Sequence, residues 1–376
     1  MTTVRPTNSS KNRDIRFDIL KVIGLLLIIL AHTKPPQLIS LLREFDVPLM
    51  VISSGTLFYY SSHNKPFSLI DYLKKRIPRL LAPVWLFLAF FFTSVSLTDL
   101  ITRSRYHYSL EQVFYAFLLI DKINYIWIIR VFIMIAILAP FLLKFYIKLG
   151  SERRFLLALV ACYIFNELIV RPLLNLSNSI ELFNLIRGQF LYYIIPYGFL
   201  FGFGIILTKM DRKLFKLVSI CFFTLSLFVI GIYYYYFGDN LVMYLYEINN
   251  DYKFPPSPQY IYYGTFISIV LYYLVSRLLS NNNWSIFIQK SWLLKLIIFI
   301  SSSTLWIYLW HIFFISFWTR ISYKYSIMKN FMVFFIVLTV ASILATYLQK
   351  KLVSSIINNT QFGQNHSKLL TTLFLR

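Results

Sequence analysis

At 376 residues, 58% hydrophobic and only 14% charged, with mean hydropathy of +0.65, the chain departs from soluble domains, which carry roughly 25% charged residues. That composition excludes an ordinary soluble enzyme, a disordered protein and a secreted disulfide scaffold. The 37 Lys and Arg against 15 Asp and Glu give a net charge of +22, which points to membrane topology rather than to nucleic acid, because cytoplasmic loops retain basic residues. The apolar runs are continuous, without the alternation of a β-barrel, and several approach the roughly 20 residues that cross a bilayer. The expected class is therefore all-α: a polytopic integral membrane bundle. Cys162 and Cys221 fall inside apolar runs, with no C-x-x-C or Cys/His metal spacing.

Ten spans are predicted, at about 16–33, 45–61, 78–97, 125–147, 154–171, 189–208, 214–237, 259–280, 293–318 and 331–353. A short apolar piece at 113–120 reads as interfacial or re-entrant. With both termini cytoplasmic, the inward segments hold 25 Lys and Arg and the outward ones 11, and Arg130 lies within a span. The outward loop at 238–258 carries three acids and one base, and Pro255, Pro256 and Pro258 forbid a continuous helix there. The organisation read from this is a cytoplasmic tail at 1–15, one integral domain at 16–353 and a polar cytoplasmic tail at 354–376. No internal repeat is visible.

Charges inside spans are costly and mark functional sites by default. In the first span Asp18, Lys21 and His32 share one helix face: eleven residues are about 20° past three turns, and fourteen are about 40° short of four. Lys21 to His32 is a rise of about 16 Å, from the cytoplasmic surface into the outer half. The plainer readings are a snorkelling Lys21 and a His32 that caps the span. Lys74-Lys75-Arg76-Ile77-Pro78-Arg79 precedes the third span, and reads as a topology signal, a lipid-headgroup patch or a phosphate site. Arg130 opens the fourth span, Glu167 closes the fifth, and His311 lies about 18 residues into the ninth. Their depths place His32, Arg130, Glu167 and His311 around one expected polar cavity. Glu167 has two candidate partners, Arg130 and, at i,i+4, Arg171.

In order, these pieces resemble the bacterial membrane acyltransferase family three, which O-acetylates cell-surface polysaccharides. Arg16-Phe17-Asp18-Ile19-Leu20-Lys21 with His32 is similar to its first-helix signature. Phe45-Asp46-Val47-Pro48-Leu49 through Ser53-Ser54-Gly55 is similar to its second-helix pattern, and Lys75-Arg76-Ile77-Pro78-Arg79-Leu80-Leu81-Ala82-Pro83 to its basic stretch. Trp127, the Gly202/Gly204 region and Ser303 through Tyr308-Leu309-Trp310-His311 complete a resemblance over about residues 13 to 315. Lys21 stands where the family has Arg, and Asp46 where an apolar residue or His is common.

The resemblance implies an acetyl-CoA-dependent transferase of the bacterial cytoplasmic membrane, acting on a polysaccharide or lipid-linked glycan, with no metal and no nucleic acid. Lys21, Lys75, Arg76 and Arg79 would take the phosphates of acetyl-CoA. Its pantetheine arm is comparable in length to the Lys21–His32 rise, so a polar tunnel from the basic entrance to His32 is expected, with Gly24 adding little bulk. His32 would be general base or acyl carrier, Arg130 or His311 would support the oxyanion, and Asp18 would order the basic entrance. The competing readings are an exporter or flippase of lipid-linked glycan, which needs neither acetyl-CoA nor a titratable histidine, and a structural partner in a polysaccharide-synthesis complex. Oligomeric state is open at this level.

Overall fold

The computed structural model describes residues 13–63, 68–102, 108–120, 125–176, 181–238, 255–281, 291–321 and 330–375. The acidic loop expected at 238–258 lies mostly outside the described residues, as does the tail up to residue 12. Every regular element among the described residues is helical: α1 (Ile15–Ala31), α2 (Gln37–Leu42), α3 (Asp46–Ser62), α4 (Leu69–Ile101), α5 (Leu110–Phe117), α6 (Trp127–Leu149), α7 (Glu152–Phe165), α8 (Arg171–Leu176), α9 (Glu181–Ile186), α10 (Tyr192–Leu207) and α11 (Arg212–Phe237). After these come α12 (Pro258–Ser280), α13 (Trp292–Ser302), α14 (Thr304–Ile321), α15 (Phe331–Asn359), α16 (Gln361–Asn365) and α17 (Ser367–Leu370). Single π-helical segments at Asn166–Val170 and Arg187–Leu191 join α7 to α8 and α9 to α10, and a third, Thr371–Leu375, follows α17.

Among the described residues, seven helices are long and apolar enough to cross a membrane, and the bent pair α13–α14 makes eight. α1 and α3 are 17 residues each, about 26 Å, at the short end of what spans. The helix ends follow local chemistry. Asp14 caps α1 by accepting from Arg16 N at 3.1 Å, and Pro35-Pro36 follow its end. Gly150, at φ 61°, closes α6 in the left-handed conformation. Ser257 with Pro258 opens α12. α4 starts nine residues earlier than the third span expected from the sequence, because Ser68 caps it, so the basic stretch is helix rather than loop.

α3 and α10 form the centre, with α1, α6, α7 and α12 packed around them. Their crossing has no room for side chains. A Cβ on Gly55 would come within 2.1 Å of Phe201 O, and one on Gly204 within 2.1 Å of Ile52 O. Thr56 Oγ1 donates to Gly204 O at 2.6 Å across the same contact. Gly55 and Gly204 are thus the two halves of one backbone crossing, while Gly202 faces Leu159 of α7. Gly24 faces Met50 rather than open space: its Cβ would meet Met50 Cγ at 2.7 Å.

The expected ninth span, 293–318, is broken. α13 and α14 meet at 77° around Ser303. The run Ser301-Ser302-Ser303-Thr304 explains the place, since clustered hydroxyls compete for the helix backbone. The carbonyl of Ser301 at this break is satisfied from another helix: Lys21 Nζ donates to it at 2.6 Å.

The carboxyl-terminal residues do not extend away as a simple polar tail. α15 continues to Asn359, and Thr371–Leu375 folds back against α4 and α15. Trp306 Nε1 donates to Leu373 O at 2.9 Å, and its ring stacks on Phe374 with centroids 5.6 Å apart. Lys350 Nζ donates to Leu375 O at 2.9 Å. Gln349 joins this hook to α14, accepting from Trp310 Nε1 at 2.7 Å and donating to Phe374 O at 3.5 Å. Deleting residues 361–376 is expected to cost about 2–3 kcal/mol, from one indole–carbonyl bond, one ammonium–carbonyl bond and one ring stack. Thermal unfolding in detergent checks this, and an unchanged midpoint would show that the hook is not anchored on Trp306.

Candidate active site

The break at Ser303 aims α14 so that His311 meets the end of α1. His32 is the residue that closes α1, its N–H bonded to Ile29 O and Leu30 O, so it does cap the helix as the plainer sequence reading held. Its ring is nevertheless engaged: His32 Nδ1 and His311 Nε2 are 3.0 Å apart, with ring centroids at 5.1 Å. His311 is fully buried, and its Nδ1 contacts the carbonyl of Tyr308 on its own helix. Tyr125 lies edge-on to His32 at 4.7 Å, and the Tyr308 ring is 4.6 Å from His311. The Tyr308 hydroxyl donates to Tyr125 O, tying both aromatic neighbours together.

For two neutral rings these partners fix the proton positions. A carbonyl only accepts, so His311 Nδ1 must be the protonated nitrogen and His311 Nε2 the acceptor. His32 Nδ1–H is then the donor between the rings, which puts the lone pair of His32 on Nε2. An imidazole oriented this way by a second group has the chemistry to serve as a general base or an acyl acceptor.

At the other end of α1, Lys21 meets the basic face of α4. Tyr72, Lys75, Arg76, Arg79 and Leu80 recur at helical spacing and line two cavities. The outer one, about 490 Å³, holds Lys21, Lys75, Arg76 and Arg79 together with Ser54, Ser61 and Ser62. A narrower one, about 150 Å³, shares Lys21, Ser54 and Arg76 with it and continues past Leu25, Ile28 and Met50 to Thr304 and Tyr308. The ring of Tyr308 is the neighbour of His311 described above.

The remaining residues singled out by sequence lie elsewhere. Asp18 accepts two bonds from Arg13, each 2.6 Å, and one from Ser301 Oγ at 2.5 Å. It orders the inner end of α1 and the break in α13–α14, about 21 Å of helix rise from His32. Arg130 is buried and donates to Leu119 O at 2.9 Å and to Gln189 of the Arg187–Leu191 π-segment, with Phe190 and Tyr193 rings 5.8 and 5.5 Å from its guanidinium. Leu119 takes the left-handed φ of 58°, a strained conformation for a branched residue, and so presents its carbonyl to Arg130. Arg130 therefore pins the 118–120 segment after α5, which leads toward Tyr125. Glu167 pairs with Arg171 at 2.6 Å, the i,i+4 alternative, and Arg171 also donates to Pro256 O at 3.1 Å. The single cavity expected to hold His32, Arg130, Glu167 and His311 thus resolves into a histidine pair and two separate anchoring sites, because the two charges find nearer partners in Gln189, Leu119 O and Arg171.

Asp46, open in the sequence, is buried in an ion pair with Arg43 at 2.7 Å and accepts from Val47 N at 2.7 Å in the first turn of α3. Sequence reasoning missed Tyr125, Ser301 and Gln349, and of these only Ser301, in its serine run, carried a visible signal.

No curated relative and no solved structure matches the chain. A family model does: that of acyltransferase family 3, described as an acyltransferase domain, matches residues 14–349. The match takes in α1 with His32, the basic face of α4 and α14 with His311, and the chain belongs to this family as a multi-pass membrane acyltransferase.

Proposed function

We propose that the protein moves an acetyl group from acetyl-CoA to a hydroxyl of a cell-surface polysaccharide or its lipid-linked precursor. The observation that carries this reading is the pair of cavities sharing Lys21, Ser54 and Arg76, which lead from three cations on one face of α4 to Tyr308 beside the histidine pair. Cations on a common face suit the phosphates of the donor, and Arg76 and Arg79 offer planar forks for their oxygens. Lys21, already committed by one proton to Ser301 O, has two further donors for the same purpose.

His32 Nε2 takes the proton of the acceptor hydroxyl as its oxygen attacks the thioester carbonyl. The Nδ1–H bond to His311 holds the imidazolium that forms. Collapse of the tetrahedral intermediate expels the thiolate, which recovers the proton from His32. By the excess of basic residues, the α4 end faces the cytoplasm and His32 the outer half.

The test is transfer of radiolabelled acetyl from acetyl-CoA to a glycan by the purified protein. A protein that carries lipid-linked glycan across vesicle membranes and transfers no acetyl overturns the reading in favour of export. Within it, Arg76→Ala is expected to raise the half-saturating acetyl-CoA concentration about tenfold, with little change in the saturated rate. A fall in the saturated rate at unchanged acetyl-CoA affinity would remove Arg76 from phosphate binding.

A further inference from the structure

α11 packs closely on α12 and leaves a gap toward α7. The gap is a groove of about 590 Å³, walled by Leu156, Val160 and Ile164 on one side and by Leu214, Val218 and Leu225 on the other. Its floor is four interlocked rings, one from each neighbouring helix: Tyr163 of α7, Phe199 of α10, Phe222 of α11 and Tyr262 of α12. Their centroids lie 5.4 Å apart for Tyr163–Phe199, 6.2 Å for Tyr163–Tyr262 and Phe199–Phe222, and 6.3 Å for Phe222–Tyr262. A floor shared by four helices cannot rise to fill the groove without repacking all of them.

One end of the groove is basic. Arg153 and Lys213 line it there. They belong to two connecting segments, 144–154 and 209–216, which together carry eight Lys and Arg against Glu152 and Asp211. Arg153 joins the segments through an ion pair with Asp211 at 3.0 Å. Asp211 also caps α11, accepting from Leu214 N at 2.6 Å, and that bond, with Arg153, holds its carboxyl below the usual carboxylate range. Both side chains of the pair are more than half exposed, 62% and 57%, so the bond is weak and Arg153 can exchange it for another anion.

The dimensions match one lipid chain. From Lys213 to Leu225 the rise is about 18 Å, and from Arg153 to Ile164 about 16 Å, against about 15 Å for the hydrocarbon of one leaflet. We propose that the α7–α11 groove is a binding site for an anionic phospholipid, one acyl chain lying along the aromatic floor and the phosphate held between Arg153 and Lys213. The site is independent of the acyl-transfer chemistry, since none of its residues touches the histidine pair or the α4 cavities.

The test uses the whole protein reconstituted in phosphatidylcholine vesicles containing a minor fraction of phosphatidylglycerol, re-extracted in mild detergent, with retained lipid identified by mass spectrometry. Phosphatidylglycerol is expected to be enriched about tenfold over its share of the vesicle, as two basic side chains at a headgroup predict. Arg153→Gln with Lys213→Gln should abolish the preference, while Lys144→Gln with Lys148→Gln, at the same end but outside the groove, should keep it. Val160→Trp should reduce retention of both lipids with the charges intact; where that variant fails to fold, the two charge pairs decide. Equal retention of both lipids by the native protein, or an enrichment that all variants keep, overturns the site. So does a disulfide-linked dimer formed through Cys221, which lines the groove, because a second copy would then fill it.

Discussion

Replacing His32 by alanine is expected to leave the protein inserted and folded and to lower acetyl transfer by about a hundred- to ten-thousandfold, the span typical of a lost general base. The expectation of an intact fold rests on position: His32 lies at the end of α1, only partly buried, and its backbone caps are independent of the ring. His311→Ala should cost less, because it removes the acceptor for His32 Nδ1–H and leaves the base itself in place. His311→Gln should recover part of that loss, since an amide oxygen can accept the same bond. The His32→Ala/His311→Ala double variant should be no worse than His32→Ala alone, as residues acting as a unit are not additive. The measurement is O-acetyl content of the glycan product with protein amount normalised. Near-normal acetylation by His32→Ala would remove the pair from the chemistry altogether, and additive losses would show two independent roles.

The second large effect is on folding. Gly55→Val or Gly204→Val should abolish recovery of monodisperse protein, and the alanine variants should each lose about 3 kcal/mol, the upper end of what overpacking usually costs. At both sites the obstructing atoms are backbone, Phe201 O and Ile52 O, so no side-chain rotation relieves the clash. Separation of α3 from α10 would also break the Thr56–Gly204 bond at the centre of the bundle. Gly231→Ala is the control: a Cβ there meets nothing within 4 Å, and the helix should gain slightly from the substitution. Size-exclusion profiles and thermal unfolding of the three alanine variants decide it. If Gly55→Ala melts with Gly231→Ala, the two helices do not meet as closely as described.

Much of the architecture was legible because membrane insertion imposes long apolar runs, and those runs are written in the sequence. The site was partly legible. Lys21 and His32 share one face of α1 by helical geometry alone, and Lys75, Arg76 and Arg79 share one face of α4 for the same reason. Glu167 shows the limit: its depth matched that of Arg130, but a carboxylate takes the partner one turn away when one exists, and Arg171 stands there. Lys21 shows another. Its charge suggested a phosphate ligand, and it also satisfies a carbonyl opened by a helix break in a segment 280 residues away.

What the sequence by itself determined is the class of the protein, the approximate spans and which ionisable side chains lie within them, since these follow from composition, periodicity and charge within single segments. The tertiary structure decided which of those residues meet. The bend at Ser303 turns His311 toward His32, a glycine-lined crossing lets α3 and α10 touch, and the hook at 371–375 fastens Trp306 of α14. Each of these joins residues from distant segments, so its energy comes from packing and hydrogen bonds between helices, and no pattern within one helix encodes it.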